Sequence, residues 1–84
     1  MKIYKQHLSL DFPVVSLPED GIFLCLQDQG GKPTMWYVFD ETRGTKYKEV
    51  KFTWVATGEP FSGGIYYGTW QAPYGLVWHL FEIK

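Results

Sequence analysis

The sequence predicts an all-β fold: a small antiparallel meander of six or seven strands, closed as a barrel or folded as a sandwich, with no substantial helix. Three observations predict it. No window of eleven or more residues keeps apolar residues at i, i+3, i+4 and i+7 free of Gly and Pro, so at most a single helical turn is expected. Short runs of alternating apolar and polar residues recur instead, each ended by Gly, Pro or Asp. The 84 residues are 45% hydrophobic and 19% aromatic, and that surplus of rings lets one short chain build a core without a disulfide or structural metal. Residues 1–84 are read as a single β domain, because two would each have too little interior to offset their backbone entropy.

The elements follow in order. Lys2 to Leu10 places Tyr4, Leu8 and Leu10 on one parity and Ile3, Lys5, His7 and Ser9 on the other, the pattern of a half-buried strand. Asp11-Phe12-Pro13 interrupts it. Val14 to Leu17 is a short extended piece ended by the turn Pro18-Glu19-Asp20-Gly21. Ile22 to Gln29 is the next strand, with Ile22, Leu24 and Leu26 facing one way and Phe23, Cys25 and Gln27 the other. Gly30-Gly31 closes a hairpin, since tight two-residue turns require positive φ at both positions. The returning strand, Thr34 to Asp40, sets Met35, Tyr37 and Phe39 opposite Trp36 and Val38, with Pro33 at its beginning.

The polar run Asp40 to Lys46 reads as an exposed loop. The strand Tyr47 to Thr57 follows, with Val50, Phe52, Trp54 and Ala56 on the buried face and Glu49, Lys51 and Thr53 toward water. Gly58-Glu59-Pro60-Phe61-Ser62-Gly63-Gly64 cannot continue a ladder and is too long for a tight turn, so it is the longest loop. A last hairpin runs Ile65 to Trp70, turns through Ala72-Pro73-Tyr74-Gly75 and returns along Leu76 to Phe81. Both of its faces carry large apolar side chains, so cover is expected from the earlier strands and from a second copy of the chain, with Trp78 and Leu80 at a homo-oligomer interface.

A formal net charge of −1 argues against general nucleic-acid binding, which draws on many cations releasing counterions. The lone Cys25 excludes an intrachain disulfide, suits a reducing cytoplasm and reads as an inert core residue. The first residues have no apolar h-region, and no apolar run approaches the ~18 residues of a membrane span. No cofactor is expected.

Chemistry-bearing constellations are sparse. His7, His79 and Cys25 lack the paired spacing of a metal site, so no metal is expected, and His79, between Trp78 and Leu80, reads as a hydrogen-bonded structural histidine. Ser62 lacks the Gly-x-Ser-x-Gly frame of a nucleophile elbow. The nine acids are scattered beside turns. Catalytic residues are therefore expected to be none, and the chain is not read as an enzyme. What remains is a ligand-binding candidate: hydroxyls and backbone N–H groups of Thr57, Gly58, Glu59, Pro60 and Ser62, the cations Arg43, Lys46 and Lys48, with Lys51 beside them, and the rings Tyr66 and Trp70. Rings stacking on bases and cations on phosphates would make a nucleotide-sized site.

The succession Leu24-Cys25-Leu26-Gln27, Met35-Trp36-Tyr37-Val38-Phe39-Asp40, Thr57-Gly58-Glu59-Pro60, Tyr67-Gly68-Thr69 and Leu76-Val77-Trp78-His79-Leu80-Phe81-Glu82 resembles a group of small uncharacterised bacteriophage proteins. Its sharpest parts are the Thr-Gly-x-Pro loop, with Glu59 where the group often has His, and the Val-Trp-His-x-Phe-Glu ending. The resemblance implies an accessory protein acting in the cytoplasm of an infected bacterium. The expected function is stoichiometric: a non-enzymatic binding protein that serves counter-defence by sequestering a nucleotide-like signalling molecule. The alternative is a protein-protein inhibitor of a host factor, or a structural phage component, using the aromatic hairpin as contact surface.

Overall fold

A computed structural model describes residues 1–83. Seven strands follow one another: β1 (Lys2–His7), β2 (Val14–Pro18), β3 (Ile22–Gln29), β4 (Lys32–Phe39), β5 (Tyr47–Ala56), β6 (Ile65–Gln71) and β7 (Val77–Glu82). They form two antiparallel sheets, β1-β4-β3 and β2-β5-β7-β6, packed as a sandwich rather than closed as a barrel. The expected meander is corrected by this order. Only β3–β4 and β6–β7 are hydrogen-bonded neighbours in sequence, because both β2 and β7 attach to β5 across the second sheet. No described helix is long and apolar enough to cross a membrane.

The β3–β4 hairpin forms where two adjacent glycines demanded it, with φ of 61° at Gly30 and 86° at Gly31. Pro33 is tolerated inside central β4 for a reason visible in its carbonyl, which accepts the Leu8 N–H at 2.9 Å. A strand residue's N–H and C=O point the same way, so the missing donor faces the side on which β1 has already ended. Two 3-10 turns stand where at most one helical turn was expected: Pro73–Gly75 between β6 and β7, and Glu41–Arg43, capped by the Asp40 carboxylate accepting the Thr42 N–H at 3.0 Å.

Two local readings change. β1 stops at His7, after which Leu8 turns into the core and Leu10 is left exposed. In β3 a bulge between Phe23 and Cys25 breaks the alternation, so Leu26 faces the core while Ile22 and Leu24 are exposed. One extra residue flips every side chain before it relative to those after it.

The core lies between the sheets. Leu26 and Met35 contribute from the first sheet, and Val15, Val50, Phe52, Trp70 and Leu80 from the second, with Leu8 entering from the link. Leu80 is fully buried within the single chain, and Trp78 packs against the same cluster. Those two residues are thus covered by the opposite sheet, and Leu80 has no surface to offer a second copy.

Candidate functional site

The sharpest sequence motifs meet in space. β5 and β6 each run antiparallel to β7, so they are parallel to each other and cannot be joined by a hairpin. Residues 57–64 instead run from the end of β5, beside Trp78, to the start of β6, beside Glu82. The link lies across the outer side of β7 as a strap. Thr57 Oγ1 is 2.8 Å from His79 Nε2, and Thr69 Oγ1 on β6 is 2.9 Å from His79 Nδ1. Both ring nitrogens are therefore partnered, as expected of a structural histidine. The Phe61 ring sits 4.1 Å from that of Phe81, and Tyr66, whose hydroxyl bonds Thr69, lies 5.4 Å from Phe81 on the other side.

Backbone geometry seats the strap at both ends. Glu59 folds back so that its carboxylate accepts the Ala56 N–H at 2.6 Å, a bond the carboxylate makes and an imidazole at that position would make differently. At Gly64 a Cβ would stand 2.7 Å from the carbonyl oxygen of Glu82, and φ is 150°, so only glycine fits there. Gly58, Pro60 and Ser62 are exposed along the strap. The outer face of the hairpin, expected to need a second copy, is partly covered by the chain's own loop.

A second place gathers the cations. Between the sheets, beside the β2–β3 turn, a small cleft of about 80 Å³ has Phe23, Met35, Tyr37 and Tyr67 in its wall and Glu19 and Lys48 at its entrance. Tyr67 donates its hydroxyl to Glu82 at 2.9 Å and stands edge-on to Phe23 and Phe52. Burial, helped by the Glu82 carboxylate, pushes the Tyr67 phenol up to about 12. Burial also raises Tyr37, with nearby Tyr47 adding to it. Both phenols stay neutral, so the cationic group at the entrance is Lys48. Arg43 and Lys46 lie on the exposed approach to β5 at the same end.

The expected ligand set is therefore split. Lys48 and Thr57 stand near opposite ends of β5, separated by roughly 30 Å at ~3.3 Å per residue, so Arg43, Lys46 and Lys48 do not share a site with Thr57, Gly58, Glu59, Pro60 and Ser62. Trp70 joins neither group. It is buried in the core with its indole N–H donated to Asp28 at 2.9 Å. Tyr66 belongs to the strap. Tyr37 and Tyr67 were missed as cleft residues, although the inward parity of Met35, Tyr37 and Phe39 signalled that one face of β4 is aromatic. No group of three His, Cys, Asp or Glu side chains converges among the described residues.

A protein-family model described as "Domain of unknown function (DUF7352)" matches residues 1–84. Neither the curated proteins nor the solved structures contain a match.

Proposed function

We propose that this chain, which belongs to the DUF7352 family, is a non-enzymatic binding domain that holds a small planar anion in the cleft between its sheets. The observation that carries this reading is the meeting of an aromatic-walled cleft with Lys48 at its mouth. A planar ring slides between Phe23, Tyr37 and Tyr67, and its acidic group stays outside beside Lys48. The groups that meet the cleft are neutral phenols, the Lys48 ammonium and the Glu19 carboxylate, and against that carboxylate Lys48 is the group that attracts and orients an anion. Such a domain acts by occupancy, as a phage-type counter-defence protein would in removing a nucleotide-like signal from the host cytoplasm.

Thermal unfolding with a panel of mono-, di- and cyclic nucleotides tests it. A nucleotide at 100 times its Kd should add about 2.7 kcal/mol to stability, and Lys48→Met should abolish that gain while leaving the apo protein unchanged. A panel that moves the melting temperature of neither protein would overturn the nucleotide reading.

A further inference from the structure

The hydrogen bonds on the outer side of β7 form an ordered relay. Thr57 Oγ1 stands 2.8 Å from His79 Nε2, Thr69 Oγ1 stands 2.9 Å from His79 Nδ1, and Thr69 Oγ1 also meets the Tyr66 hydroxyl. The two threonines are not equivalent. Thr69 is half-buried and engages two side chains, whereas Thr57 is exposed and its hydroxyl has the imidazole as its one partner among the described residues. An exposed hydroxyl on one ring nitrogen, with the other nitrogen held by a third group, is the arrangement that activates a nucleophile. The N–H of Gly58, the next residue, has no acceptor among the described residues, so it is free to meet an oxygen that gains charge beside Thr57.

We propose that Thr57 is a modification site, whose oxygen takes an acyl group from an activated ester with His79 as the base. In the tautomer protonated at Nδ1, the ring donates to Thr69 Oγ1 and Nε2 accepts from Thr57, while Thr69 donates to the exposed Tyr66 oxygen. The Thr57 oxygen bonds the carbonyl carbon of the ester as its proton passes to Nε2. The bond from that carbon to the oxygen of the leaving alcohol then breaks, and the proton departs on the alcohol. One acyl ester stays on the chain, so the modification is stoichiometric. Charge selects an acyl over a phosphoryl group. No Lys or Arg occurs in 53–59, 66–71 or 77–81, the three segments around the hydroxyl, and the one carboxylate in them is Glu59, held on the Ala56 N–H at 2.6 Å. A phosphoryl donor would meet that charge with no cation to offset it. An apolar acyl group instead finds the Phe81 ring, two residues along β7 on the same face as His79, with Phe61 against it. The site lies at the far end of β5 from Lys48, so the proposal does not depend on a ligand in the cleft.

The test incubates the folded protein with p-nitrophenyl acetate and locates the acetyl groups by peptide mass spectrometry. Acetyl on the lysines, which His79 does not touch, is the internal standard. The label should accumulate on Thr57, and His79→Gln should slow that accumulation at least about tenfold relative to the lysines. Thr57→Ser should keep the label, and Thr57→Val should lose it. Thr69→Val, which removes the partner that fixes the Nδ1 proton, should slow Thr57 labelling about tenfold, and Thr69→Ser should restore it. That pair decides the matter if His79→Gln does not fold. A label absent from Thr57, or one that forms there as fast in folded His79→Gln as in the wild type, overturns the proposal and leaves His79 a structural histidine.

Discussion

The two sheets began with the same problem and resolved it differently. Each has an outer face carrying large apolar side chains: Ile3, Ile22, Leu24, Trp36 and Val38 on the first, Val77, Phe81 and Tyr66 around His79 on the second. The second sheet is partly covered by the 57–64 strap, which the parallel relation of β5 and β6 makes obligatory. On the first sheet the only tight link is the two-residue Gly30-Gly31 turn, which leaves no chain to spare for a cover. Topology thus decides which apolar face is hidden and which remains available. Neither face's composition does.

That comparison can be broken at graded points. The shared interior sets the largest expected effect: Leu80→Ala, at a fully buried position between the sheets, should cost about 2–5 kcal/mol in denaturant unfolding. A loss below ~1 kcal/mol would mean that Leu80 is not between two packed layers. Next comes the seat of the strap, where Gly64→Ala drives a Cβ toward the Glu82 carbonyl and should cost about 2 kcal/mol. Hydrogen exchange should then rise along β7 and residues 57–64 before it rises in β3 and β4. The polar fastening is weaker: His79→Leu strands the Thr57 hydroxyl and removes one of the two partners of the Thr69 hydroxyl, and should cost about 1 kcal/mol, whereas a neutral result would show that the strap is held without the imidazole. The bare face should be the most tolerant. Ile3→Ser and Leu24→Ser should each change stability by no more than about 0.5 kcal/mol, although each removes a large apolar side chain. A cost equal to that of His79→Leu would mean that both faces are covered in solution.

Alkaline pH sharpens the difference between cleft and surface. The folded chain holds the Tyr67 proton up to about 12, above the ordinary phenol value of 10.0. Folded protein therefore binds more protons than unfolded protein in that window, so this contribution is whole below pH 10.0 and is lost as pH rises through about 12. Tyr67→Phe should flatten the fall in stability across that interval. An unchanged slope would place the titration elsewhere, Tyr4 being the other phenol raised to about 12, by its hydrogen bond to Glu41.

Much of the frame was legible because its signals are local. The Gly30-Gly31 turn, the alternation of Val50 and Phe52 in β5, the polar stretch that became the Glu41–Arg43 turn, and the hydrogen-bonded reading of His79 all rest on residues a few positions apart. Site reading fared differently. Arg43, Lys46 and Lys48 were grouped with Thr57 to Ser62 by nearness in sequence, yet an extended strand carries its two ends as far apart as the chain allows. Trp70, a candidate ligand-binding ring in the sequence, is buried in the core, because aromatic content alone does not say which rings point inward. The bulges at Phe23/Cys25 and Tyr66/Gly68 decided that, and the first has no mark in the sequence.

What the sequence by itself determined is the class of element: strands, their turns, the absence of a long helix, and a core of alternating apolar residues. Period-two hydrophobicity and the φ preferences of Gly and Pro are properties of neighbouring residues, so they are readable without a fold. The tertiary structure alone decided the order β1-β4-β3 and β2-β5-β7-β6, and with it the strap over β7, the cleft beside Lys48 and the bare face around Trp36. Strand order arises from the competition among many nearly equivalent pairings, settled by how both sheets pack together, and no short stretch of residues carries that sum.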